Sequence, residues 1–221
     1  MPELTLTPQQ QAVVDHNHGP ALVFAVAGAG KTTALEPRIA RLVRKRVFAP
    51  ERTLAVAYNK GVQLELERRL KQHEGCNRVQ VVTLHAFALG AIRMAKSQGL
   101  LPDLAPDAFD RFDTAADGVL NTALREARSQ NASYGSELDS LDRSDFLTWM
   151  TAAKGNLQYP TLNLVPKQIQ RTGKARQASK PRRNPWYLDF YQLYEDVRRK
   201  QGYLTFDDQL LTGWEILVSH E

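Results

Sequence analysis

Apolar residues follow two different rhythms along this chain. Before about residue 99, short apolar runs alternate with stretches of helical spacing. Ala21-Leu-Val-Phe-Ala-Val-Ala27 ends at Gly28 and predicts a buried parallel strand. Arg52-Thr-Leu-Ala-Val-Ala-Tyr58 and Arg78-Val-Gln-Val-Val-Thr83 predict two more. Between them, Ala34, Leu35, Ile39, Leu42 and Val43 recur at helical spacing over 31–46, with Pro37 as a candidate kink. Residues 61–70 predict another helix through Val62, Leu64, Leu66 and Leu70. Strand and helix in alternation imply an α/β fold, a parallel sheet flanked by helices.

The rhythm changes after about residue 99. No strand is read between 100 and 200, and helical spacing is read over 106–130, 139–154 and 185–200. This stretch predicts an all-helical insertion subdomain. Tyr203-Leu-Thr-Phe-Asp-Asp-Gln-Leu-Leu211 then opens a last helix, with Thr205 or Asp207 as N-cap. The expected organisation is therefore 1–99, 100–200 and a return helix over 201–221.

Composition narrows the function classes. With 43% hydrophobic and 24% charged residues in 221, a globular chain is expected, neither disordered nor fibrous. No apolar run reaches the roughly eighteen residues of a membrane span, and the N-terminus lacks the pattern of a signal peptide. Cys76 is alone, which excludes an intrachain disulfide and a cysteine zinc cluster. A cytoplasmic protein with no membrane partner is expected.

The net charge of +5 is unevenly spread. Lys167, Arg171, Lys174, Arg176, Lys180, Arg182 and Arg183 follow one another with no acid between them, and without these seven the rest carries −2. Residues 101–150 hold ten acids against four bases. A basic segment of this kind suits a polyanion. Lys174, Arg176, Arg182 and Arg183 are its candidate phosphate contacts. Tyr159, Trp186, Tyr187 and Tyr191 are either stacking partners for bases or core. The helical spacing of Trp186, Phe190, Leu193 and Val197 favours core.

Chemistry concentrates at Phe24-Ala-Val-Ala-Gly-Ala-Gly-Lys-Thr-Thr33. The pattern G-x-x-x-x-G-K-[ST] is met at Gly30, Lys31 and Thr32, with Ala25 in place of the first glycine. Small residues at Ala27, Gly28, Ala29 and Gly30 let backbone N–H groups approach phosphate oxygens. The helix that follows presents its positive end. Lys31 is placed to reach the β- and γ-phosphates and Thr32 to ligate Mg²⁺, so these two are the catalytic candidates. ATP with Mg²⁺ is the expected cofactor. Upstream, Gln10 follows a helix start at Thr7 or Pro8, and its carboxamide suits an adenine edge.

Four segments in order, Leu6-Thr-Pro-Gln-Gln-Gln-Ala-Val, Ala27-Gly-Ala-Gly-Lys-Thr32, Leu54-Ala-Val-Ala-Tyr-Asn-Lys60 and Val82-Thr-Leu-His-Ala-Phe87, resemble consecutive motifs of superfamily 1 helicases of the UvrD/Rep/PcrA type. The resemblance covers about 3–98 and 186–221. It implies the N-terminal portion of an ATP-dependent DNA helicase or translocase, with a RecA-like P-loop domain interrupted by a helical subdomain. It implies adenine sensing by Gln10 and phosphate and magnesium binding by Gly28, Gly30, Lys31 and Thr32. It implies contact with single-stranded or partly duplex DNA by Tyr58, Asn59 and Lys60 and by Thr83, His85 and Phe87. Phe87 also suits a core position and His85 a local helix-start bond. Thr33 stands where the family often has an arginine that stacks near adenine. No Walker B strand is read before Glu221, so a second chain or a C-terminal region would supply it and the arginine finger. Two readings from other classes stay open: a non-catalytic nucleic-acid-binding module that retains a P-loop, and a small stand-alone P-loop enzyme using Asp207 or Asp208.

Overall fold

The computed structural model describes residues 5–26, 28–101, 104–130, 132–163 and 165–219. It is mixed α/β. The chain divides into two compact units, Met1–Phe87 and Ala88–Glu221.

In the first unit, α1 (Pro8–Asp15) begins at a reciprocal cap. The Thr7 hydroxyl accepts the Gln10 N–H, the Gln10 side chain accepts the Thr7 N–H, and Pro8 pre-sets the first turn. Helix α2 (Lys31–Arg44) runs unbroken through Pro37, which has no N–H to offer the Thr33 carbonyl. Strand β1 (Leu54–Ala57), α3 (Lys60–Leu70) and β2 (Gln80–Thr83) follow. The strands pair in parallel with Ala57 opposite Thr83. Alternation along β1 buries Ala55 and Ala57 and leaves Leu54 and Val56 open. The buried face packs on Ile39, Ala40 and Val43 of α2 and on Leu66 and Leu70 of α3. Arg38 and Arg41 of α2 donate to the Val13 and Val14 carbonyls and tie α1 down.

The run from 21 to 26 corrects the sequence reading. It forms no strand, and Leu22 and Phe24 are 80% and 88% exposed. The described sheet of this unit is β1–β2 alone. A run of apolar residues signals burial only where a neighbouring ladder takes its backbone groups, and here none does.

Helix α4 (Leu84–Ser97) carries the division between the units. The second unit is built on α5 (Phe112–Ser129), α6 (Arg143–Gly155) and α8 (Tyr187–Gln201). Their shared core joins Leu120 and Leu124 to Phe146, Met150, Phe190 and Tyr194. The Phe146 ring lies 4.9 Å from Phe190 and 5.2 Å from Tyr187, in tilted and edge-on contact. Gly202, left-handed at φ 69°, ends α8. Helix α9 (Phe206–Ser219) packs Leu211, Trp214 and Val218 against Tyr159, Val165 and Ile169.

The region read as free of strands contains one small exception. Strand β3 (Gln158–Tyr159) pairs in parallel with β4 (Arg176–Gln177), two residues each. Helix α7 (Lys167–Arg171) lies between them. The basic segment is therefore partly ordered by this ladder, which is too short to leave a periodic signal.

Candidate functional site

The loop into α2 is shaped by two glycines. The Ala29 N–H donates to the Val26 carbonyl at 3.2 Å, and Gly28 sits in the left-handed region at φ 80° within that turn. Gly30, at φ 74°, caps α2 in the same region. An L side chain resists this conformation, so glycine is the residue that lets the chain bend here. Ala27 lies outside the described residues. Beyond the bend, the N–H groups of Thr32 and Thr33 donate to no acceptor among the described residues. They belong to the first turn of α2, where donors and dipole together favour an anion. One expectation needs correction: the Ala29 amide is turned inward to Val26 and is not part of a row of free donors.

Lys31 Nζ donates to the carbonyls of Ala25 (2.9 Å) and Val26 (3.0 Å), so its ammonium lies back over the loop. Gln10 reaches the same loop from α1, donating through Nε2 to the Ala29 carbonyl at 3.2 Å. Gln10, Lys31 and Thr32 line one cavity of about 660 Å³, whose apolar wall includes Val13, Val23 and Leu35. A few convergent polar groups on an apolar wall are what a small-molecule site of this size requires. Gly28 and Thr33 are not among its lining residues.

The sheet edge assembles a second group. Because β1 and β2 are parallel and Ala57 faces Thr83, the segments 58–60 and 83–87 leave the sheet side by side at its C-terminal end. Tyr58 is 91% exposed. Asn59 caps α3 by accepting the Val62 N–H at 2.9 Å, and Lys60 donates to Gln63 at 2.8 Å. The Thr83 hydroxyl accepts the Ala86 N–H at 3.1 Å at the start of α4. His85 and Phe87 are half-buried on the first turns of that helix. Asn59 and Thr83 therefore have structural work as caps, and Tyr58 presents the open ring.

In the second unit, Lys174, Arg176, Arg182 and Arg183 are exposed and form no ion pair among the described residues. Lys180 pairs loosely with Asp189 at 3.6 Å. The aromatics considered for stacking are core instead: Tyr159, Tyr187 and Tyr191 are buried, and Trp186 packs against the cluster that holds Tyr187 and Tyr191. Burial and a bond to Asp145 push the Tyr187 phenol up to about 12.

Sequence reasoning missed a buried charge cluster in this unit. Lys154 of α6 donates to Asp208 (2.7 Å) and pairs with Glu195 (2.8 Å). Arg198 pairs with Glu195 at 2.8 Å and Asp208 at 3.3 Å and donates to the Tyr203 carbonyl at 2.8 Å. Asp208 also accepts from the Thr205 N–H and hydroxyl, which closes the start of α9. Burial alone would raise the Glu195 carboxyl, but Arg198 and Lys154 outweigh it and hold it well below the usual carboxylate range. The available signal was phase. Lys154 follows Phe146 and Met150 at four-residue spacing, and Glu195 and Arg198 follow Tyr191 and Tyr194, so charges stand on buried faces.

The UvrD/REP helicase N-terminal domain model matches residues 6–221. The chain belongs to that family. It is 37% identical over 89 residues to a probable DNA helicase II homolog of Rickettsia felis, covering 40% of this chain and 14% of the relative. It is 32% identical over 90 residues to the ATP-dependent DNA helicase PcrA of Bacillus subtilis, covering 40% and 12%. It is 31% identical over 222 residues to the ATP-dependent DNA helicase Rep of Escherichia coli K12, covering 99% and 29%. The chain thus spans less than a third of the length of these relatives. The four motif segments of the first unit all lie within the span that the UvrD/REP model matches. No helix among the described residues is long and apolar enough to cross a membrane. No group of three His, Cys, Asp or Glu side chains among them is placed to hold a metal ion.

Proposed function

We propose that this chain is the ATP-binding portion of an ATP-dependent DNA helicase or translocase, and that its first unit belongs to a RecA-like P-loop domain. The observation that carries the reading is the convergence of Lys31 and Gln10 on one glycine-bent loop at the start of α2. The triphosphate tail would lie against the α2 N-terminus, with Lys31 exchanging the Ala25 and Val26 carbonyls for phosphate oxygens. The residues fit ATP with Mg²⁺ in kind: a hydroxyl from Thr32, with phosphate oxygens and water completing a magnesium shell. When bound, the ion would neutralise charge on the phosphates.

Single-stranded or partly duplex DNA is the proposed partner. Tyr58 would stack on a base, with Lys60, His85 and the hydroxyl of Thr83 near the backbone, and the open bases Lys174, Arg176, Arg182 and Arg183 would add phosphate contacts. We read 1–99 as core, 100–200 as a helical insertion and 201–221 as the return, in a cytoplasmic protein. A Walker B strand and an arginine finger would come from a further region or a second chain. Hydrolysis is a property proposed for that whole assembly.

The test is titration of a fluorescent oligodeoxythymidylate with the wild type and Tyr58→Ala. The wild type is expected to bind with an affinity that falls as salt rises, and loss of one stacking ring costs about 1–3 kcal/mol. Binding indifferent to both salt and Tyr58 would contradict the proposal.

A further inference from the structure

Gln10 is attached at both ends. Its side-chain oxygen accepts the Thr7 N–H at 2.9 Å, and its Nε2 donates to the Ala29 carbonyl at 3.2 Å. It also fills the space where a side chain on Gly30 would begin: a Cβ there would lie 2.5 Å from Gln10 Nε2. No other side chain reaches the Ala29 carbonyl among the described residues.

The geometry of a trans peptide gives this contact a consequence. The carbonyl of Ala29 and the N–H of Gly30 belong to one planar unit and point in opposite directions. A side chain that draws the Ala29 oxygen toward α1 therefore turns the Gly30 N–H away from α1. Gly30 has the torsional freedom to follow. We infer that Gln10 is a positioning residue for the phosphate loop: it sets the orientation of the 29–30 peptide and so aims a backbone donor at the phosphates. A carboxamide has two donors and two lone pairs. One of each is engaged here, and one of each remains for the edge of a base. The same side chain thereby couples the base end of a nucleotide to its phosphate end.

The inference rests on the nucleotide-binding reading and deepens it. A residue that only reads the base has no influence on a ligand without one. Inorganic tripolyphosphate with Mg²⁺ is such a ligand, and calorimetric titration compares it with ATP. The variants are Gln10→Ala, which removes both bonds, and Gln10→Met, which removes them at nearly constant volume. Helix α1 keeps its Thr7 hydroxyl cap and its ties to Arg38 and Arg41 in both. Thr7→Val is the control, breaking that cap while leaving the Gln10 bond to Ala29.

Tripolyphosphate is expected to bind both Gln10 variants roughly three- to tenfold more weakly than wild type, the range set by the loss of one orienting hydrogen bond. ATP should weaken by at least as much, and Thr7→Val should leave tripolyphosphate binding near the wild-type value. Unchanged tripolyphosphate affinity in the Gln10 variants, with ATP weakened, would overturn the positioning role and leave nucleotide binding intact. An equal loss in Thr7→Val would assign the effect to α1 as a whole and overturn it too. A wild type that binds neither ligand would overturn the inference together with the reading beneath it.

Discussion

The two units handle polar and apolar groups in opposite ways. The first leaves apolar side chains open, Leu22, Phe24, Leu54, Val56 and Tyr58 among them, and ties Gln10 and Lys31 to nearby backbone. The second closes an aromatic core and buries two acids and two bases against one another. The difference teaches where each unit has freedom. Lys31 holds two exposed backbone carbonyls, which it would exchange for phosphate oxygens in the proposed complex, and Gln10 holds the loop itself through the Ala29 carbonyl. Lys154 and Asp208 hold each other, and nothing can replace either partner without leaving a charge stranded. Among the described residues the first unit has a two-stranded sheet, the smallest that can form, whereas the second draws on three packed helices.

Breaking the buried cluster should give the largest effect. Lys154→Met removes one charge and leaves Glu195, Asp208 and Arg198 unbalanced, at about 3–5 kcal/mol. All three tryptophans, Trp149, Trp186 and Trp214, lie in the second unit, so urea unfolding followed by tryptophan fluorescence reads this loss selectively. A smaller loss is expected from Gly213→Ala. Its Cβ would meet Ala88 Cβ at 2.7 Å and Ala88 Cα at 3.0 Å, a clash with a backbone that cannot swing aside. About 1–3 kcal/mol is expected, by the same fluorescence measurement.

Acid should act on the second unit through the same cluster. The folded carboxyl of Glu195 lies below its unfolded value, so its stabilisation is fully present above about pH 4.3 and is lost as pH falls below that. Urea midpoints at pH 7, 5 and 3 are expected to be similar at the first two and lower at the third. Glu195→Gln should flatten that fall while lowering stability at pH 7. The smallest effect sharpens the comparison from the DNA side. Replacing Lys174, Arg176, Arg182 and Arg183 together by alanine should reduce the salt slope of single-strand binding by roughly 0.7 for each phosphate that is no longer neutralised. An unchanged slope would remove the basic segment from the proposed interface.

These contrasts also mark what could be read from residues alone. The helices 61–70 and 185–200 appear close to where their spacing puts them, as α3 and α8, because their apolar stripes meet partners supplied nearby. The strands β1 and β2 were legible for the same reason. The run 21–26 was not, since its apolar character says nothing about whether another strand is present to pair with it. Lys154, Glu195 and Arg198 escaped because a charge is ordinarily solvated, and only their two ion-pair partners apiece explain why these stand on buried faces. The short pairing of Gln158 and Tyr159 with Arg176 and Gln177 has no period to detect. At the loop, residue types are the basis for expecting phosphate chemistry. They did not reveal that the Ala29 N–H turns to Val26, or that Gln10 holds the Ala29 carbonyl. Both follow from backbone torsions rather than from side-chain identity.

The central claim is that the glycine-bent loop before α2 receives the phosphates of a nucleotide. Equilibrium titration of a fluorescent ATP analogue with Mg²⁺, wild type against Lys31→Ala, tests it most directly. The account predicts saturable binding by the wild type and a loss of roughly ten- to hundredfold without the ammonium, as expected for a charge-assisted bond. Equal affinity in the two proteins would contradict it.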